Sequence, residues 1–283
     1  LFIRLIIMVH QLKKGEYFGT HYHKLQLDNF LITDTEYTHD TVAWHTHENP
    51  YFTFLLQGKL LEANKKETYY LTPGTLLFHN WQDAHYNIKP PQFTRGFHIE
   101  MNSKWFEEYD LKSFDFQGSL HLNNPFAKEL MAKIFFESKI LDSNSQTSIE
   151  LLLINLFSTI KNTSDKKDAC IPNWVHLLKE ILHEQPDICT SLTNLSRILD
   201  IHPVHLSRKF PTYFKSTMGH YIRRQKVNKA TLQIINKKAS MTEICYACGF
   251  YDQSHFITNF KKVYGYTPLQ FSKKTADVKF IQF

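Results

Sequence analysis

Cysteine is scarce. The 283 residues hold four, too few for a disulfide framework in a chain this long, so the sequence reads as one kept in a reducing compartment, the cytoplasm. Cys245 and Cys248 are spaced C-x-x-C, but no second Cys or His pair stands at metal-ligand spacing. Both fall on a predicted helix and are expected to pack there. Long apolar runs are missing as well. Leu1 to Val9 is apolar apart from Arg4, is too short to cross a bilayer and lacks a small-residue cleavage site, so it predicts neither a membrane span nor an export signal. No paired carboxylates, no Ser-His-Asp set and no glycine-rich phosphate loop occur. The expectation is therefore a chain with no catalytic residues that is not an enzyme. Acidic residues are scarce in one part only. Between Lys166 and Lys274 stand 17 Lys and Arg against 7 Asp and Glu, while the remainder has 16 against 20, within a net charge of +6. Such a basic segment is the electrostatic footprint of a phosphate-binding surface.

What is present divides the chain by period. From His10 to about Glu100 the pattern is β. Phe52 to Leu56 reads as a buried strand ended by Gln57-Gly58, and Tyr69 to Leu71 and Thr75 to Phe78 flank the turn Thr72-Pro73-Gly74. Pro followed by Gly at the centre of a turn favours type II geometry. Many short strands with turns at close spacing predict a sandwich or barrel. From Pro125 to about Lys161 the period becomes helical. Phe126, Leu130, Ile134 and Phe135 make one stripe, and Leu152, Leu153, Leu156, Phe157 and Ile160 another, with Asp142 to Gln146 as the loop between them. This predicts an αα-hairpin that packs on the barrel, on a second copy of the chain, or on both. Lys161 to Asp168 is polar and reads as a linker.

The basic part opens with a helix from Trp174 to Glu184 and then shows two helix-turn-helix patterns. In the first, Ser191 caps a helix carrying Leu192, Leu195, Ile198 and Leu199. Asp200-Ile201-His202 is the turn, and Pro203 suits the first position of the next helix, where its missing N–H costs nothing. Leu206 and Phe210 are the buried face of that helix, and Val204, Ser207 and Arg208 its outward face. Pro211 is expected to end or kink it early. Tyr221 to Ile235 is a long joining helix. In the second unit Ser240 and Glu243 form a capping box, Gly249 stops the helix, and Asp252 caps the next. Phe256 and Phe260 give that helix a buried face; Gln253, Ser254, Ile257, Thr258 and Lys261 lie on the other. Outward polar side chains on the second helix of such a pair are what reads a DNA major groove.

Ile244, Gly249, Phe250, Asp252, Ser254, His255, Phe256, Phe260, Lys261, Gly265, Thr267 and Pro268 stand at the fixed spacing of the AraC/XylS family of bacterial transcription regulators, and the stretch resembles that family's second DNA-reading unit. His205-Leu206-Ser207-Arg208-Lys209-Phe210 is similar to its first. The departures are Thr258 where a basic residue is common, Asp200 and Phe214 where the family usually has Gly, and Lys226 for an arginine. His45-Thr46-His47, Gly58, Pro73-Gly74 and His85 resemble the two half-motifs of a cupin barrel, a domain that commonly precedes the DNA-binding part in this family. The resemblance implies a metal set of His45, His47, His85 and a glutamate, but the glutamate position holds Tyr51. The expectation is a pocket without metal or cofactor, with His79 and His98 as weaker extra candidates beside the three histidines. Its candidate lining is His45, His47, His85, Trp44 and Phe54, with Tyr17, Phe18, His21 and Trp81 as additional residues of the right kind.

Taken together these readings predict an α+β chain: a cupin-like β-barrel for effector binding over residues 1–122, a helical hairpin and linker over 123–165 that serves dimerisation, and an all-α domain with two helix-turn-helix units joined by a long helix over 170–275. The expected function is a sequence-specific transcription regulator that binds double-stranded DNA as a homodimer, responds to a small-molecule effector and does not associate with membranes. The alternatives are a metal-dependent cupin enzyme fused to a DNA-binding domain, and a ligand-independent DNA-binding dimer.

Overall fold

The computed structural model describes residues 9–80, 83–111, 118–164, 171–184, 191–237 and 239–276. The strands are β1 (His10–Leu12), β2 (Gly19–Gln26), β3 (Phe30–Tyr37), β4 (Thr41–His47), β5 (Tyr51–Gln57), β6 (Leu60–Asn64), β7 (Thr68–Leu71), β8 (Leu76–His79), β9 (His85–Ile88), β10 (Arg95–Met101) and β11 (Ser119–His121). The helices are α1 (Ser103–Glu108), α2 (Pro125–Ile140), α3 (Ser145–Ser164), α4 (Asn173–Glu184), α5 (Leu192–Ile198), α6 (Pro203–Phe214), α7 (Met218–Asn236), α8 (Met241–Ala247), α9 (Gln253–Tyr264) and α10 (Pro268–Ala276). The predicted linker begins as helix, because α3 runs to Ser164; its remainder, and Trp81, lie outside the described residues. None of the described helices is long and apolar enough to cross a membrane.

The chain divides into two units. One contains the strands up to Leu122 together with Ile134–Asn155; the other contains Asn123–Lys133 together with Leu156–Ala276. The hairpin of α2 and α3 is thus divided between them.

In the first unit a five-stranded sheet of order β1-β4-β9-β6-β7 and a six-stranded sheet of order β11-β8-β5-β10-β3-β2 form a β-barrel. Strand alternation sets its two surfaces. On β5, Tyr51 and Thr53 point into the barrel, and register carries the same face across the sheet, since Tyr51 pairs with His79 and Thr53 with His98. Phe52 and Phe54 point the other way. There Phe52 meets Phe78 at 4.8 Å and Phe97 meets Phe135 of α2 at 5.2 Å. Asp34, fully buried on β3, accepts two hydrogen bonds of 2.6 Å from Arg95 and one of 2.8 Å from Lys139. A buried carboxylate is tolerable only when paired in this way.

The second unit is helical. Val175, Leu178 and Leu182 of α4 pack with Leu195, Leu206, Phe210, Phe214 and Tyr221 into one apolar cluster. Phe256, Phe260, Tyr264 and Phe271 form a chain of ring contacts around α9 and α10. Along α7, Glu129 receives ion pairs from Arg224 and Lys133, and the Arg224 guanidinium lies 4.3 Å from the Phe126 ring centre. Asn228 donates to the Pro125 carbonyl at 2.9 Å. Arg224 is therefore a structural residue.

The expectation that Pro211 ends its helix early is corrected. Pro211 neither ends nor shortens α6, which continues to Phe214 and closes on Lys215 in the left-handed region. Pro211 is on the exposed side, while Phe210 and Phe214 anchor the last turn in the apolar cluster. Burial of those two rings outweighs the one hydrogen bond that proline removes.

Candidate nucleic-acid interface and ligand cavity

Each helix-turn-helix is built from local signals. Ser191 accepts from Asn194 N–H at the start of α5, and Ser240 and Glu243 complete a reciprocal capping box at the start of α8. The first turn closes with Ile201 N–H donating to Ser196 O at 2.9 Å; the second closes with Phe250 N–H donating to Cys245 O at 3.1 Å. This is the same Schellman-type closure. It places Asp200 and Gly249 at φ of 51° and 74°. Lys226 Nζ donates to the Gly249 carbonyl at 2.5 Å and so braces the second turn from α7.

The structure places Val204, Ser207 and Arg208 on the exposed side of α6, and Gln253, Ser254, Ile257, Thr258 and Lys261 on the exposed side of α9. Val204 is 56% and Ile257 39% accessible. Gln253 is partly engaged, because its amide donates to Thr242 Oγ1 at 2.8 Å. Sequence reasoning missed Tyr251, 87% accessible, just before the Asp252 cap, and Tyr246, 59% accessible on α8. Two exposed aromatics beside α9 were visible in the sequence as Tyr at positions that no apolar period claimed.

Within the barrel a cavity of about 30 Å³ is lined by Tyr17, Tyr51, His45, His47, His85, His98, Glu62 and their neighbours. That holds roughly two waters. His45, His47 and His85 come together there, each with one ligand nitrogen within 4.8 Å of the other two. Trp44 and Phe54 do not line the cavity. Trp44 alternates with His45 to the other face of β4 and meets Tyr86 at 5.0 Å. Phe54 shares the Phe52 side of β5. Glu62, an inward position of β6, was missed; the signal was a lone carboxylate two residues after the inward-facing Leu60.

Hydrogen bonds orient these rings. His45 Nδ1 bonds Ala43 O and His85 Nδ1 bonds Asp83 O, both at 2.9 Å. A carbonyl can only accept, so Nδ1 carries the proton in each and Nε2 presents a lone pair. Tyr51 Oη lies 3.1 Å from His85 Nε2 and can donate to it. Burial holds His45 down at about 4 and His98 at about 3, and holds His47 and His79 well below the usual imidazole range, with neighbouring histidines adding to the effect on His45, His47 and His79. Burial pushes Glu62 up to about 8 against the hydrogen bond from Asn87. At neutral pH the 3.4 Å approach of His79 Nδ1 to Glu62 Oε1 is accordingly a contact of neutral groups.

Comparison with known proteins decides the nature of the helical unit. Residues 195–274 match the family model described as a helix-turn-helix domain. This region is an AraC-type helix-turn-helix domain. The chain is 25% identical over 144 residues to the HTH-type transcriptional activator RhaS of Escherichia coli strain SMS-3-5, covering 50% of this chain and 51% of that protein. It is 30% identical over 98 residues to the bifunctional transcriptional activator/DNA repair enzyme AdaA of Bacillus subtilis, covering 35% and 46%. The chain thus spans about half the length of the curated relatives it matches. Among solved structures it is similar to ToxT of Vibrio cholerae, at 10% identity and a TM-score of 0.37 over 88% of this chain and 100% of that one. Within the AraC-type domain, both exposed helix faces described above fall inside the matched residues.

Proposed function

We propose that this chain is a sequence-specific, DNA-binding transcription regulator of the cytoplasm, that its barrel receives a small effector, and that its hairpin pairs two copies. The observation that carries the reading is the equivalence of α6 and α9. They are two 12-residue helices, each preceded by a Schellman turn, each with an exposed polar face, in the basic stretch of the chain. Two such helices enter successive major-groove faces about 34 Å apart along the duplex. Arg208 makes a bidentate contact to guanine or grips a phosphate, and Lys261 neutralises a phosphate. Val204, Ser207, Ser254, Ile257 and Thr258 meet base edges, and Gln253 joins them by releasing Thr242. The buried free thiols Cys245 and Cys248 suit a reducing compartment.

The test is selection of random-sequence DNA by the purified chain at two salt concentrations. Enrichment of two half-elements about one helical turn apart, with affinity falling steeply as salt rises, is expected. Enrichment of one short element would remove α6 from base reading; no enrichment would overturn the proposal.

A further inference from the structure

The barrel holds a second set of metal-binding side chains besides His45, His47 and His85, and this one includes a carboxylate. One ligand atom from each of Glu62, His79 and His85 lies within 4.8 Å of the others, and all three residues are buried. They come from β6, β8 and β9, three strands distributed over both sheets. We propose that Glu62, His79 and His85 bind a divalent transition-metal ion, with a water or small ligand atom in the fourth position.

Three observations carry this. The first is orientation. Ser119 Oγ donates to Asp83 Oδ2 at 2.7 Å, so it is an acceptor for His79 Nδ1 at 3.2 Å. His85 Nδ1 donates to the Asp83 carbonyl. Residue 83 and its neighbour Ser119 therefore set both tautomers, leaving a lone pair on each Nε2, which is how outer hydrogen bonds aim histidine ligands; the His85 lone pair now accepts from Tyr51 at 3.1 Å, a bond that an ion would replace. The second is vacancy of bonding. His79 Nε2 and Glu62 Oε1 are buried and make no hydrogen bond, while Asn87 holds the other Glu62 oxygen at 3.1 Å. Buried polar atoms are ordinarily satisfied, and a cation satisfies these two together. The third is size and charge. The cavity of about 30 Å³, room for an ion with a water, is lined by Glu62 and His85, with His79 outside its lining. Glu62 supplies a carboxylate, which the three-histidine set lacks, and releases its proton when it binds an ion.

Two imidazoles and one carboxylate suit zinc, iron(II) or cobalt(II). Bonds of about 2.0–2.1 Å in a tetrahedron separate ligand atoms by about 3.3 Å, so atoms that now lie within 4.8 Å of one another close by at most about 1.5 Å on binding. His47 Nδ1 is also buried without a hydrogen bond, and the rival position for the ion is the His45, His47 and His85 set. The two sets share His85, so one ion occupies one of them. The site stands independently of the regulatory reading.

The experiment strips the full chain with a chelator and titrates it with zinc(II) by calorimetry and with cobalt(II) by visible absorption. One equivalent of each is expected, with the intense absorption of four-coordinate cobalt. Glu62→Gln, equal in size, is expected to weaken binding at least tenfold, and His79→Ala at least a hundredfold, whereas His47→Ala changes it less than threefold. Thermal melts of the metal-free variants show whether each is folded; if His79→Ala is not, Glu62→Gln decides. Absence of stoichiometric binding of both ions overturns the proposal. So does loss of binding in His47→Ala with retention in Glu62→Gln and His79→Ala. DNA binding measured on the same samples reports on the regulatory reading separately.

Discussion

The first helix-turn-helix unit leaves α5 through Asp200 and α6 through Lys215; the second leaves α8 through Gly249 and α9 through Gly265, and all four residues have positive φ. The units otherwise run in parallel. Ser191 corresponds to Ser240, Asp200 to Gly249, and then, after one extra residue in the second turn, Leu206 to Phe256, Phe210 to Phe260, Phe214 to Tyr264 and Tyr221 to Phe271. The extra residue is Tyr251, which explains its exposure. At the helix start, Asp252 accepts from His255 N–H at 2.7 Å, whereas His202 accepts from Val204 N–H at 3.3 Å. The second unit meets each backbone requirement with the residue best suited to it. The first reaches the same geometry with costlier residues, because its core holds the geometry in place. It also carries Arg208 where the second has Thr258, so the strength in local structure and the strength in phosphate or guanine contact are distributed to opposite units.

Five measurements would sharpen or break this comparison. Phe210→Ala and Phe260→Ala each remove a fully buried ring and are expected to cost about 3–5 kcal/mol in denaturant unfolding; a much smaller loss for Phe210 would show that the first unit is not held by its core. Arg208→Ala is expected to weaken DNA binding by about 1–3 kcal/mol, and Thr258→Ala by well under 1, in titrations at fixed salt. Equal losses would end the asymmetry. Pro211→Ala restores an amide within α6 and is expected to stabilise the protein by about 1–2 kcal/mol. Gly249→Ala should lose about 1 kcal/mol, and Asp200→Gly should gain somewhat less, since aspartate tolerates the left-handed region better than alanine does. Asp252→Ala should cost about 1 kcal/mol and His202→Ala only a few tenths, both read from thermal melts.

The helical unit was largely legible because its signals are short-range. A capping serine, a glycine or aspartate after the helix, and rings four residues apart act within one or two turns, and each could be read without knowing what the helix packs against. α10 was missed as a helix: only Gly265-Tyr266-Thr267-Pro268 and Phe271 marked it, and Pro268 at its first position is a start signal that went unused. The barrel was legible as a class but not as an interior. Alternation alone puts Trp44 opposite His45 and His47, so that correction was available in the sequence. For Phe54 it was not, since β5 is buried on both faces and only the pairing of Tyr51 with His79 says which face looks inward.

The sequence by itself determined the two helix-turn-helix units, their outward residues, the basic character of that region and the presence of an H-x-H strand in a β-rich part. These depend on contacts within a few residues or on composition. The tertiary structure alone decided that Glu62, His79 and His85 meet, that Asp83 and Ser119 orient the two rings, and that Arg224 binds Glu129. Those neighbours are 2 to 95 residues apart along the chain, and strand register and helix packing bring them together; no local pattern encodes the register.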